Sequence, residues 1–131
     1  MSAWAARRFW TTASAVPVAG GFAVHLDARP VRTPLKAQLV LPTLALAEAV
    51  AAEWQAQDGK VRPETMPVTR TANSAIDKVA PQHAEVALML AAYAESDLLC
   101  HRATGPEALI QRQATAWDPL LQWAATQLSA P

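Results

Sequence analysis

The chain has 131 residues, 52% of them apolar, and 11 Lys plus Arg balance 11 Asp plus Glu. That is one ordinary domain, or two small ones sharing an interface, with enough apolar material for a packed core, so wholesale disorder is excluded. The balanced charge and the lack of a basic run remove the electrostatic case for nucleic acid. No apolar run approaches the roughly 20 residues that cross a bilayer, and the single Cys100 excludes an internal disulfide and suits a reducing compartment.

The first forty residues read as short strands. Phe22, Val24 and Leu26 alternate with Ala23 and His25, the period-2 pattern of a strand with one buried face. Gly20-Gly21 supplies the positive φ of a hairpin turn and pairs this strand with a preceding one in Phe9 to Val18. Asp27 to Pro30 reads as a tight turn. Val31 to Thr33 and Gln38 to Leu41 then predict two more strands around Pro34. Pro17, Pro30 and Pro34 cannot donate to a ladder and belong at strand ends or edges. A small antiparallel sheet results.

At Pro42-Thr43 the period changes. Thr43 is an N-cap, and Ala47, Val50, Ala51 and Trp54 mark one face of a helix over Leu44 to Gln57, with Trp54 expected buried against the sheet. Asp58-Gly59 stops it. Pro67 opens a second helix running to about Val79, and Pro81 opens a third with a stripe of Val86, Met89, Leu90 and Tyr93. Leu98 to Arg102 is ambiguous between strand and helix end. After Gly105-Pro106-Glu107, the stripe Ile110, Gln113, Ala114, Trp117, Leu121, Ala124 and Leu128 crosses Asp118-Pro119. That predicts a kink or two helices, the second capped by Asp118. The fold class is therefore α+β. An N-terminal β-rich domain over 1–65 carries one packed helix, and an α-helical bundle domain spans 66–131.

Chemistry-bearing residues are sparse. Cys100-His101 are sequence neighbours, which usually point apart, and Cys100 reads as an inert, buried small hydrophobe. His25, His83 and His101 form no ligand spacing, and His25 is expected on the open face of its strand. Gly20, Gly21, Gly59 and Gly105 form no phosphate loop, so no cofactor, metal or catalytic set is expected. Arg70, Asn73 and Asp77 share one side of the second helix. They make a polar stripe that serves either as a solvated face, a hydrogen bond to the sheet, or a contact surface for a partner. Trp123 falls off the last helix's stripe and is the exposed or interdomain aromatic.

One set of residues points further. Ser96-Asp97-Leu98-Leu99-Cys100-His101-Arg102, Gly105-Pro106-Glu107, Gln111-Arg112-Gln113 and Trp117-Asp118-Pro119-Leu120-Leu121 occur in that order. Upstream stand Arg8-Phe9-Trp10, Leu26-Asp27, Arg29 to Pro34, Leu41-Pro42-Thr43, Ala51-Ala52-Glu53-Trp54, Met66-Pro67, Thr69-Arg70, Ala72-Asn73 and Ala75-Ile76-Asp77. In this the chain resembles the ATP12-like assembly chaperones, which hold the alpha subunit of F-type ATP synthase before the catalytic hexamer forms. The resemblance implies a two-layer sheet domain followed by a helical bundle. It also implies a non-enzymatic role with the F1 alpha subunit as partner and release by competition from the beta subunit. The expected location is the bacterial cytoplasm, the mitochondrial matrix being that of eukaryotic relatives, since Arg8-Phe9-Trp10 begins too early for a removable leader. The partner-binding candidates are Arg70, Asn73, Asp77 and Trp123. Family members continue beyond residue 131, so either a later part is lacking or this member is short. Two other functions stay open: a helical adaptor binding through Trp123, and a small enzyme in which Cys100, His101 and a carboxylate converge.

Overall fold

The computed structural model describes residues 6–130. Two compact units divide between His83 and Ala84. This differs from the boundary expected at 65/66: residues 66–83 fall in the first unit, tied to the first helix and the sheet's turn by Glu53 and Asp77.

In the first unit, β1 (Ala13–Val18) and β2 (Gly21–Leu26) form the expected hairpin, in register from Ala13↔Leu26 to Val18↔Gly21. The turn needs its two glycines. Gly20 has φ 85° and Gly21 φ 154°, and a Cβ on Gly21 would run into the Leu41 carbonyl. β2 is the central strand. Its start pairs with β4 (Val40–Leu41) and its end with β3 (Arg29–Pro30), both antiparallel. The strands expected at 31–33 and 38–41 are shorter than the sequence suggests. Between β3 and β4 only the Arg32↔Gln38 bridge forms, and Lys36 turns the chain with φ 70°.

The alternation in β2 works as expected: Val24 and Leu26 are buried in the core and His25 is half-buried on the other face. Against Val24 lies α1 (Leu44–Gln55), whose N-cap Thr43 accepts the Leu46 N–H at 3.3 Å. Ala47, Val50 and Ala51 are its buried face. Two alanines let the helix axis come close to the sheet, while Val50 fills the gap beside Leu39 and Leu41. Trp54, expected buried, is half-buried at the rim of this core and packs edge-on to Trp10 at 5.3 Å.

Polar side chains lock both ends of α1. At its C-terminus the Arg8 guanidinium donates to the carbonyls of Gln55 (2.9 Å) and Gln57 (2.8 Å) and also to those of Trp10 and Thr11. A cation over the last carbonyls is the favourable arrangement for a helix end. Gln55 reaches the sheet, accepting the Ala13 N–H at 2.7 Å and donating to the Thr11 carbonyl. Asp27 accepts the N–H groups of Thr11 and Thr12, fixing the approach to β1. The buried Gln57 closes the loop after α1, bonding Glu53 O, Thr65 Oγ1 and Arg62 N.

The second helix, α2 (Pro67–Ser74), begins with Pro67 at its first position, as expected. Its own N-cap residue, Met66, supplies no side-chain bond. The cap comes from α1 instead. The Glu53 carboxylate accepts the N–H groups of Val68 and Thr69, both at 2.8 Å, and the Thr69 hydroxyl at 2.6 Å. An anion at the positive end of a helix satisfies its free donors and its dipole together. Met66, Thr69 and Ala72 are buried beneath it. Past Ser74 the helix loosens into a π turn, Ala75–Val79, closed by Ala80 N–H to Ala75 O, and then a 3-10 turn, Ala80–Gln82. Pro81 has no N–H for the residue 77 carbonyl, so it cannot continue an α-helix there.

In the second unit, α3 (His83–Ala91) carries no buried residue. Met89, Leu90 and Tyr93, expected in a packed stripe, are all exposed, and only Val86 is half-covered. Leu98 to Cys100 is neither strand nor helix but a turn, closed by Cys100 N–H to Asp97 O and His101 N–H to Leu98 O. α4 (Glu107–Gln127) runs unbroken through Pro119. The two-helix reading fails because Asp118 is engaged elsewhere: its carboxylate meets Arg102 at 2.8 Å. Arg102 also lies over the Trp117 ring at 5.3 Å, and Gln113 accepts the Ala103 N–H. Of the sequence-derived stripe, Ile110, Gln113, Ala114, Trp117 and Ala124 are half-buried, while Leu121 and Leu128 are exposed.

Glu53→Ala is expected to lower the unfolding free energy by about 1–3 kcal/mol, because two buried-side amides and a hydroxyl lose a charged acceptor. Urea unfolding measures this, and native-state exchange at the Val68 and Thr69 amides should quicken in parallel. An unchanged midpoint with unchanged exchange contradicts the capping role.

Candidate partner-binding site

The three polar residues of the second helix do not act as one stripe. Asp77 is committed to the fold: its carboxylate accepts the Thr33 hydroxyl at 2.6 Å and the Leu35 N–H at 3.0 Å. The π turn places Asp77 toward the 33–37 turn, and Thr33 in turn accepts the Ala37 N–H. Here the hydrogen bond to the sheet domain, one of the two plain readings of the stripe, is the one realised. Neither the Asn–Asp nor the Arg–Asn contact allowed by helical spacing forms among the described residues.

Arg70 and Asn73 instead line an open cleft of about 440 Å³ in the first unit. Its lining includes three cations, Arg32, Lys36 and Arg70, all exposed, and the apolar Trp54, Val61 and Pro63. Among the described residues none of the three cations makes an ion pair. The Arg32 guanidinium donates to the Lys36 carbonyl at 3.0 Å, which keeps two of the charges on one tight turn. No carboxylate is among the lining residues; Glu53 and Asp77 are bonded to two of them, Thr69 and Thr33.

Among the described residues, two polar atoms of cleft-lining side chains have no hydrogen-bond partner. Trp54 Nε1 and Asn73 Oδ1 are buried and unbonded. Leaving such a group unsatisfied costs about 1–3 kcal/mol, so each calls for an explanation. Arg32, Lys36 and Trp54 escaped the sequence reading. The two cations flanking Pro34 were a readable signal, since a proline turn projects its neighbours together. The Trp54 signal was masked, because the residue also completes the apolar face of α1.

Trp123 belongs to the second unit and is 56% exposed on α4, as expected for a residue off the stripe. Cys100 is exposed, contrary to the expectation of a buried hydrophobe. It sits in a turn that no helix covers. The His101 ring nitrogen Nε2 contacts the Glu95 carbonyl, not the thiol. Among the described residues no group of three or more His, Cys, Asp and Glu is placed to hold a metal ion. No helix there is long and apolar enough to cross a membrane.

A sequence model of the ATP12 chaperone protein matches residues 7–125, nearly the whole of what is described here. The chain belongs to the ATP12 chaperone family. Solved structures agree. Atp12 from Paracoccus denitrificans is 57% identical and superposes with a TM-score of 0.76 over 96% of this chain and 54% of its own. A point mutant of the Paracoccus protein gives 57% identity, 0.77, and the same coverage. A protein of Agrobacterium tumefaciens described as a candidate chaperone is 45% identical, with a TM-score of 0.71 over 95% of this chain and 47% of that one. The chain thus spans about half the length of these ATP12-type proteins. The mixed α+β fold expected from the sequence is the fold of the family.

Two measurements follow from the placement of these residues. Asp77→Ala should destabilise by about 1–3 kcal/mol by stranding Thr33 and the Leu35 amide. Arg70→Ala, a change at an exposed side chain, should stay within about 0.5 kcal/mol of the parent in the same thermal scans. Equal effects would contradict the split between a structural and a surface residue. Cys100 should react with a thiol reagent in the native protein nearly as fast as in urea, and strong native protection would contradict its exposure.

Proposed function

We propose that this chain acts as a non-enzymatic chaperone for the unassembled alpha subunit of F-type ATP synthase. Membership in the ATP12 family, across residues 7–125, carries this reading. A free subunit exposes apolar surface destined for its neighbour, and such surface aggregates unless covered. A holding protein needs affinity for that surface and a way to let go. The chain's sequence has no phosphate-binding loop, so release falls to competition by the beta subunit. Arg70, Asn73 and Trp123 are proposed contact residues. Asp77 contributes indirectly, by shaping the turn that carries Lys36. The bacterial cytoplasm is the proposed site of action, and no step here calls for a cofactor.

The test is direct. Purified alpha subunit, diluted from denaturant, should scatter less light when this chain is present in stoichiometric amount, and a complex should elute together on size exclusion. Adding beta subunit should dissolve that complex into alpha–beta assemblies. Unaltered scattering and no co-elution would refute the proposal. A complex that beta subunit leaves intact would refute release by competition.

A further inference from the structure

We propose that the cleft between α2 and the 32–36 turn is a receptor for an extended, acidic peptide segment of the client. This inference rests on the chaperone reading above and adds to it a site and a ligand chemistry. Three observations within the first unit carry it. Arg32, Lys36 and Arg70 bring three positive charges to a 440 Å³ cleft without an ion-pair partner among the described residues. No carboxylate lines the cleft itself; Glu53 and Asp77 stand behind the lining residues Thr69 and Thr33, to which they are bonded, so the cations outnumber them where a ligand would enter. The same lining includes the apolar Trp54, Val61 and Pro63. Apolar side chains flanking the acidic one therefore have a surface to lie on.

The third observation selects peptide over a simple anion. Trp54 Nε1 is a donor and Asn73 Oδ1 an acceptor, and both lack partners. A peptide unit presents one carbonyl and one N–H, the complement of that pair. Inorganic phosphate has no apolar part to lie on Trp54, Val61 and Pro63, which a peptide's flanking side chains do. Charge, apolar contact and one donor–acceptor pair together describe an extended chain with an Asp or Glu between apolar residues. Arg is suited to such a carboxylate because its planar fork can bind both oxygens.

The experiment uses the full chain and a dye-labelled, terminally blocked octapeptide alternating leucine and glutamate. Anisotropy should show saturable binding, about tenfold tighter than for the leucine–glutamine version. Arg70→Glu and Lys36→Glu, both at exposed positions, should each weaken it by about tenfold, whereas Arg112→Glu on α4 should leave it unchanged. Circular dichroism melts confirm that the variants fold. Equal binding of the glutamine peptide, or insensitivity to both cleft reversals, overturns the proposal. So does displacement by inorganic phosphate with no preference among peptides, which marks a bare anion site. Alpha-subunit capture separates this from the broader reading. If the parent captures the subunit and both reversals capture it equally well, the cleft is not the receptor and the chaperone function stands. If the parent captures nothing, the chaperone function falls and the peptide titration alone judges the cleft.

Discussion

The carboxylate of Glu53 is the constraint on which the first unit turns. It sits on α1, whose position on the sheet is set by Ala47, Val50 and Ala51. It ends α2 by taking the Val68 and Thr69 amides and the Thr69 hydroxyl. A helix of eight residues is too short to stand alone in water, and nothing in its own N-cap residue helps it. With Glu53 in place, α2 is aligned so that Asp77 reaches Thr33 and Leu35 in the turn between β3 and β4. The links form a circuit: sheet to α1, α1 to α2, the turn after α2 back to the sheet. The cleft is the space that this circuit encloses on one side.

Much of this was legible. Period-2 alternation located β2, the glycine pair located the hairpin, and the Thr43 cap with the Ala47, Val50, Ala51 face located α1, because each follows from local sequence and one buried surface. The stripe on α4 was legible for the same reason. What failed needed information from distant residues. Pro119 left open a kink or two helices, and it is the second that is not realised: α4 continues through it, with the Asp118 carboxylate on Arg102. The extent of the helical part was misjudged because residues 66–83 are tied to the sheet through Glu53 and Asp77, at separations of many residues. The apolar spacing of α3 predicts a covered face, and spacing alone does not say what covers it.

The candidate site was half legible. Helical spacing grouped Arg70, Asn73 and Asp77, but the fold sends Asp77 into a structural bond and joins the other two with Arg32, Lys36 and Trp54 from elsewhere in the chain. Many of the residues that mark the family act inside the fold. Arg8 closes the end of α1, Asp27 fixes the entry to β1, Glu53 and Thr69 join two helices, and Arg102 binds Trp117 and Asp118. A family signature of this kind records a shared scaffold first. The cleft proposed as a receptor is made of what those bonds leave over: three cations, a donor and an acceptor.

The outer edge of β1 bears on the dangers of this trade. A strand at the margin of a sheet offers alternate N–H groups to any passing extended chain, and an unassembled subunit supplies such chains. Ala13 donates its N–H to Gln55 and therefore points away from β2, and by alternation the same outward set contains Ala15 and Pro17. Gln55 occupies the first of these, and proline has no N–H at the third. Of the outward N–H donors only that of Ala15 remains, so a new strand would find acceptors here but one donor. This edge of the sheet is thereby a poor template for a further strand.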